Sequence, residues 1–345
     1  MTAATGSTTG AGTDRSAAME DVFSDEGQAS SLNLLGHAMA ELADKHDDVV
    51  VLSADMGSAL TELRERHPER YIELGIAETN TISVAAGMAA SGLRPYVLAF
   101  APFGMIKCAE QIRTDLSATM MPVTLVTRLS GLAMGYFGTS HHAVEDLAIA
   151  RPITNLTIMT PADNNAALGL LEASHDLAGP SLLRVSEGAM PVYDAVPELR
   201  RGRFVRVREG ADITIIATGV GVGCAVAAAA DLAGRGIDAA VLDAAYIKPF
   251  DAEAVLAAAR ATGAILTVEE HNIVGGLGSA VAEVLGRHAG ELTAARGGSP
   301  VRVASVALPD EDLEVGVPTD LLEHYGITSA GVASAATELL GRVRS

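Results

Sequence analysis

Tryptophan is absent from the 345 residues, and aromatic side chains make up only 3% of the chain, so the core has few large rings to build with. Such a core is assembled from Ala, Val, Leu and Ile, which suits helices laid on parallel sheets. Cysteine is scarce as well. Cys108 and Cys224 lie far apart, which argues against a disulfide framework and for reduced thiols. No apolar run approaches the length needed to span a membrane. The N-terminus also lacks the basic and hydrophobic segments of a signal peptide, so the expected location is the cytoplasm. Basic residues are in deficit, 24 Lys and Arg against 43 Asp and Glu, for a formal charge of −19. That balance argues against nucleic acid or an anionic membrane as partner, since both need a basic face.

What is present is an alternation of apolar strand-like runs and helical spacings. Residues 1–29 are rich in Thr, Gly, Ala and Ser and read as a disordered tail. Helices are predicted over 32–45, 79–91, 104–118 and 162–175, with strands over 49–53, 95–99, 123–127, 156–159 and 181–185. The rhythm then breaks around Pro191, Pro197 and the cluster Arg200, Arg201 and Arg203, which reads as a linker over 191–210. It resumes with strands over 212–217, 238–242 and 264–268 and helices over 223–235, 252–260, 277–288 and 332–343. The expected fold class is therefore α/β, as two parallel-sheet sandwich domains over 30–190 and 211–345.

Leu74-Gly75-Ile76-Ala77-Glu78 is the most informative stretch. It sets one carboxylate behind a Gly turn and at the head of an apolar helix. A Glu shielded from water there would have its pKa raised and would hold or share a proton near neutrality. The competing account is a helix N-cap region, where the macrodipole welcomes an acid. Three further clusters stand out, the first two directly after strand-like runs, where parallel sheets gather ligands. They are Ser53-Ala54-Asp55-Met56-Gly57-Ser58, Phe100-Ala101-Pro102-Phe103, and Gly138-Thr139-Ser140-His141-His142-Ala143-Val144-Glu145-Asp146. His141, His142 and Asp146 suit a metal by residue type, but no further ligand set accompanies them, so no metal site is assigned to this chain. Gly219-Val220-Gly221-Val222-Gly223 has the wrong spacing for a dinucleotide fingerprint and reads as a tight strand-to-helix turn.

In this order, and continued by Thr160-Pro161-Ala162-Asp163 and Gly179-Pro180-Ser181, the motifs resemble the pyrimidine-binding domain of transketolase. Val268-Glu269-Glu270-His271-Asn272-Ile273-Val274-Gly275-Gly276-Leu277-Gly278 resembles the transketolase C-terminal domain, and the resemblance covers residues 30–342. It implies a thiamine diphosphate enzyme in which Glu78 donates a hydrogen bond to ring nitrogen N1′ of the aminopyrimidine. That favours the imino tautomer, which takes the proton from the thiazolium carbon. The resemblance sets Phe100 and Phe103 against the aminopyrimidine ring, although core packing accounts for them too. Ile106 stands where the family has a third aromatic. Asp55 matches an acid near the cofactor, and an N-cap explains it equally well. His141, with His142 beside it, matches the donor-binding position, and Arg128 offers a positive charge to substrate. Glu269 and His271 read as domain or subunit interface residues.

No Gly-Asp-Gly occurs in the chain, the family's motif for holding the diphosphate through Mg²⁺. The expectation is thus the C-terminal subunit of a split transketolase, moving a two-carbon ketol unit from a ketose donor to an aldehyde acceptor. Its cofactor would lie against a separately encoded N-terminal subunit that carries the Mg²⁺ ligands, and the two would assemble as a heterotetramer. Two readings compete: the β subunit of a 2-oxo acid dehydrogenase, and a non-catalytic regulatory subunit of the same fold. The Ser140-His141-His142 turn with Asp146-Leu147 favours transketolase. Glu78 argues against a regulatory role, because an apolar site has no reason to keep an unused acid. Three departures bear on substrate. Tyr136-Phe137 replace an acid before Gly138, Glu187 falls where the family grips phosphate with an arginine, and no basic residue occurs over 27–29. Loss of guanidinium forks implies that at least one substrate is not a standard sugar phosphate.

Overall fold

The computed structural model describes residues 32–341. The first sheet holds β1 (Val49–Ser53), β2 (Tyr71–Glu73), β3 (Arg94–Phe100), β4 (Thr124–Arg128), β5 (Thr157–Met159) and β6 (Ser181–Arg184). Further strands are β7 (Val205–Arg208), β8 (Ile213–Ala217), β9 (Ala239–Asp243), β10 (Tyr246–Lys248), β11 (Ala264–Asn272) and β12 (Arg302–Leu308). The first sheet runs β10-β5-β6-β4-β3-β1-β2 and the second β12-β11-β8-β9-β7.

Burial on both faces makes these strands continuous apolar runs. Val50 and Leu52 of β1 enter one core with Ile82, Val97 and Met105, while Val49 and Val51 join Leu35, Met39 and Leu60 on the other face. The first of these cores belongs to both sheets: Ile216, Leu242 and Ile265 of the second sheet pack in it beside Ile82, Leu116 and Leu277. A third core on the far side of the second sheet gathers Ile213, Ile215, Val241, Leu266 and Val332. Helices cover these faces, among them Leu32–Lys45, Glu78–Ala90, Asn164–Ser174, Gly221–Gly234, Ala252–Ala261, Leu277–Arg287 and Ser329–Leu339. Among the described residues no helix is long and apolar enough to cross a membrane.

The α/β class is as expected, with sheets that are parallel-dominant rather than wholly parallel. β7 runs antiparallel to β9, and β10 antiparallel to β5. β7 lies inside the segment read as a linker, and its partly exposed edge position dilutes the apolar signal. That segment is also tethered. Asp163 caps the helix Asn164–Ser174 and accepts the Val192 and Tyr193 N–H groups, each at 2.7 Å, while Tyr193 Oη donates to Asp243 at 2.7 Å. The long helix expected over 104–118 is instead two π-helical stretches, Pro102–Lys107 and Ile112–Ser117, joined by Ala109–Gln111. The expected tail over 1–29 lies outside the described residues.

Candidate active site

The residues singled out from sequence lie at the carboxyl ends of β1, β2, β3 and β4, which are neighbours in the sheet. After β2 the chain turns at Gly75 (φ +69) and enters the helix Glu78–Ala90 with Glu78 at its first position. Ala77 is the N-cap and no side chain caps the helix, but Glu78 stands in its first turn, where the macrodipole favours an acid, so that account holds alongside burial. Glu78 is only 4% exposed. Lys107 Nζ donates to Glu78 Oε2 at 2.9 Å, and this bond pushes the Lys107 ammonium pKa above its ordinary value. The acid expected in a purely apolar site thus has a cation beside it. Lys107 escaped the sequence reading, although it stands four residues after Phe103 and is the sole charge between Arg94 and Glu110.

The stretch carrying Lys107 begins directly after β3. Phe100 ends that strand and Phe103 sits in the π-helical stretch, with ring centroids 6.4 Å apart and edge to face. The His141 ring lies 5.2 Å from Phe103, 6.4 Å from Phe100 and 4.7 Å from Phe137. Three of the predicted residues are therefore one cluster of rings, to which Phe137 is added.

Gly138 makes the turn that delivers His141 and His142. Its φ is +66, and a Cβ there would meet Val315 Cγ2 at 2.8 Å, so both conformation and space call for glycine. Its carbonyl accepts the N–H groups of both histidines, at 2.9 and 3.0 Å. Ser140 Oγ lies 2.9 Å from His141 Nδ1, and burial holds the His141 pKa below the ordinary imidazole range. His142 is more deeply buried, and burial followed by the nearby His141 lowers its pKa, against a hydrogen bond with the Gly135 backbone. Its Nε2 is a buried polar atom without a hydrogen-bond partner in the structure.

Arg128 ends β4 directly opposite Phe100 in register. It is 1% exposed and donates to Glu187, so its charge is already met by a carboxylate. Burial lowers its pKa, and Glu187 acts the other way. Asp55 follows β1, exposed, in a left-handed conformation (φ +60). It caps nothing: the N-cap of the next turn, Gly57–Leu60, is Met56, whose N–H is taken by Ser53 Oγ at 2.9 Å.

Behind the histidine turn, Arg184 Nε donates to Asp146 at 2.7 Å and its Nη2 to the carbonyls of Ala143 and Glu270 at 3.1 and 3.0 Å. Asp146 is thus an ion-pair partner. Glu270 accepts from Leu132 N–H at 2.8 Å and Ser186 Oγ at 2.6 Å. His271 Nε2 accepts from Ala148 N–H at 3.2 Å, as an interface residue should. Glu269 faces the same interface, where the charges of Arg184 and Arg151 reach it. It accepts the Leu277 and Gly278 N–H groups at 2.6 and 2.7 Å and so caps its own domain's helix. The two side-chain groups suited to a metal among the described residues, His46–Asp48–His175 and His37–Glu41–Glu62, include no residue of this site.

Residues 28–192 match the family model of the transketolase pyrimidine-binding domain, and residues 202–332 that of the transketolase C-terminal domain. The chain is 36% identical over 319 residues to 1-deoxy-D-xylulose-5-phosphate synthase 1 of Geobacter sulfurreducens, spanning 91% of this chain and 48% of that protein. It therefore spans about half the length of the deoxyxylulose-phosphate synthases it matches. A 6-deoxy-6-sulfo-D-fructose transketolase subunit of Clostridium sp. (strain MSTE9) is 36% identical over 310 residues, 88% of this chain and 92% of that one. Among solved structures, a split gene transketolase described as an inactive beta4 tetramer aligns with a TM-score of 0.81 and 34% identity. The alignment covers 90% of this chain and 98% of that one.

Proposed function

The chain belongs to the transketolase family, and from that premise we propose that it is the C-terminal subunit of a split, thiamine diphosphate-dependent transketolase. It transfers a two-carbon ketol unit from a ketose donor to an aldehyde acceptor. A separate N-terminal subunit supplies the diphosphate and Mg²⁺ site, and the two form a cytoplasmic heterotetramer. The observation that carries this reading is the gathering of Phe100, Phe103 and His141 in one ring cluster, with Glu78 tied to the Phe103 stretch through Lys107.

These residues fit the aminopyrimidine end of the cofactor. A buried carboxylate and two aromatic rings are present, and the buried His142 Nε2 has no partner among the described residues, so a ligand could meet it. Thiamine diphosphate, when bound, supplies the carbanion chemistry that breaks and makes the carbon–carbon bond. Glu78 holds a proton at the pyrimidine ring nitrogen, Phe100 and Phe103 seat the ring, and His141 and His142 bind the donor hydroxyls. Asp55 lines the approach to the cofactor. Arg128 borders the donor site, but its pairing with Glu187 leaves little positive charge for a phosphate. At least one substrate is accordingly not a standard sugar phosphate, and ordinary efficiency with xylulose 5-phosphate and ribose 5-phosphate would refute that.

The test is turnover of the chain alone and with its partner, given thiamine diphosphate, Mg²⁺, ketose donors and pyruvate. Activity with ketoses in the mixture alone is expected. Glu78→Gln should lower that activity by about 10²-fold or more and leave the assembly intact, as loss of a proton-transfer group does. A stable complex inactive with every donor would favour the regulatory role.

A further inference from the structure

Glu73 ends β2, directly beside Ser53 of β1 in the sheet register. Its Oε1 accepts the Asp55 N–H at 3.0 Å and the Gly75 N–H at 2.8 Å, and its Oε2 accepts from Tyr71 Oη at 2.6 Å. Asp55 and Gly75 are the two left-handed residues of this edge (φ +60 and +69). One begins the loop after β1, and the other begins the turn that delivers Glu78. Left-handed residues turn their N–H groups out of the strand ladder, and here both converge on a single oxygen. Partial burial acts to raise the Glu73 pKa, but hydrogen bonds from Ser53, Tyr71 and the two backbone groups leave it below the usual carboxylate range. Gly57 closes the cradle: a Cβ there would come within 2.6 Å of Tyr71 Oη and 3.4 Å of Glu73 Oε2.

We propose that Glu73 is a positioning residue that locks the Asp55 loop to the Gly75 turn, and so sets where Glu78 stands for the aminopyrimidine ring. The proposal rests on the thiamine diphosphate reading. Glu73 acts through the backbone and need not touch cofactor or substrate. Because its side chain is open to solvent, water can replace it as acceptor, so its removal loosens the two loops without unfolding the sheet.

Two measurements test this on the full chain. Amide hydrogen exchange of Glu73→Ala should quicken together over residues 55–57 and 75–77, while Glu73→Gln, which keeps an acceptor oxygen, should resemble the parent. In the assembly with the partner subunit, Glu73→Ala should weaken thiamine diphosphate binding about tenfold, the scale of a lost hydrogen bond to a charged group. Its substrate KM should hold, and Glu73→Gln should stay within about threefold of the parent. Gly57→Ala, which displaces the Tyr71 hydroxyl, should shift both readouts in the same direction. Faster exchange in only one loop, or unchanged cofactor affinity in Glu73→Ala, overturns the proposal alone. A parent assembly that binds no thiamine diphosphate overturns the functional reading, and this proposal with it.

Discussion

On the proposed role of Glu78 at a ring nitrogen, Lys107 beside it alters what this acid must do first. A carboxylate already holding an ammonium group at 2.9 Å has to exchange that partner for the ligand. The Lys107 side chain is half exposed, so it can swing into water and leave the carboxylate to another partner. At Arg128 the neighbouring carboxylate is itself three-quarters buried and the guanidinium almost wholly so, which favours a lasting pair. Glu187→Gln should therefore release Arg128 toward anionic donors. Comparing kcat/KM for phosphorylated and unphosphorylated ketoses should show a shift of about tenfold toward the phosphorylated ones, the scale of one charge-assisted contact. Phe100 and Phe103 were legible in the sequence because they follow a strand-like run closely, Glu78 because it heads an apolar helix behind a Gly turn, and His141 because it is paired with His142 on a Gly-flanked turn. The Lys107 contact was not, since it spans 29 residues and depends on the π-helical stretch that replaces an expected α-helix.

Among elements, the join between β6, the helix Asp146–Ala150 and β11 carries the largest buried charges. Arg184 and Asp146 pair at 2.7 Å with side chains 3% and 0% exposed. Arg184→Met should cost about 3–5 kcal/mol in urea unfolding, because it leaves a buried carboxylate without its cation. His271 sits in the same join with its pKa pushed down to about 4, first by burial. The folded state thus prefers the neutral ring. Its contribution to stability is complete above pH 6.5, the unfolded value, and is lost as pH falls toward 4. Between pH 7 and pH 5 this amounts to about 2 kcal/mol, and His271→Gln should flatten that part of the stability–pH curve. The long apolar strands at this join could be read from sequence. β2 and β10, three residues each, and β12, with its exposed beginning, could not, since edge and very short strands carry little apolar periodicity.

At the scale of the molecule, the two sheets share a core, and the first takes its edge strand β10 from the later half of the chain. Ile216, Leu242 and Ile265 complete the layer that covers β1 and β3, and Tyr246 and Lys248 pair with Met159 and Ile158 at the edge of the first sheet. A fragment ending at residue 210 would lose both, exposing the β5 edge and an apolar face. It should aggregate or lack cooperative unfolding, which circular dichroism and size-exclusion chromatography would check. The sequence marks a break at Pro191 and Pro197, because proline and charge interrupt the apolar rhythm there. What lies across that break depends on pairings between residues some ninety positions apart, such as Tyr246 with Met159, and no local pattern encodes them.

The crossing of β10 also bears on how such a chain can be inherited. A gene exchange at the proline-rich break would hand each product a sheet whose last strand is written in the other's sequence. Only recombinants that keep residues on both sides of the break from one parent would retain a matched edge. The unit on which selection acts is then the whole chain, even where its reading frame suggests two interchangeable modules.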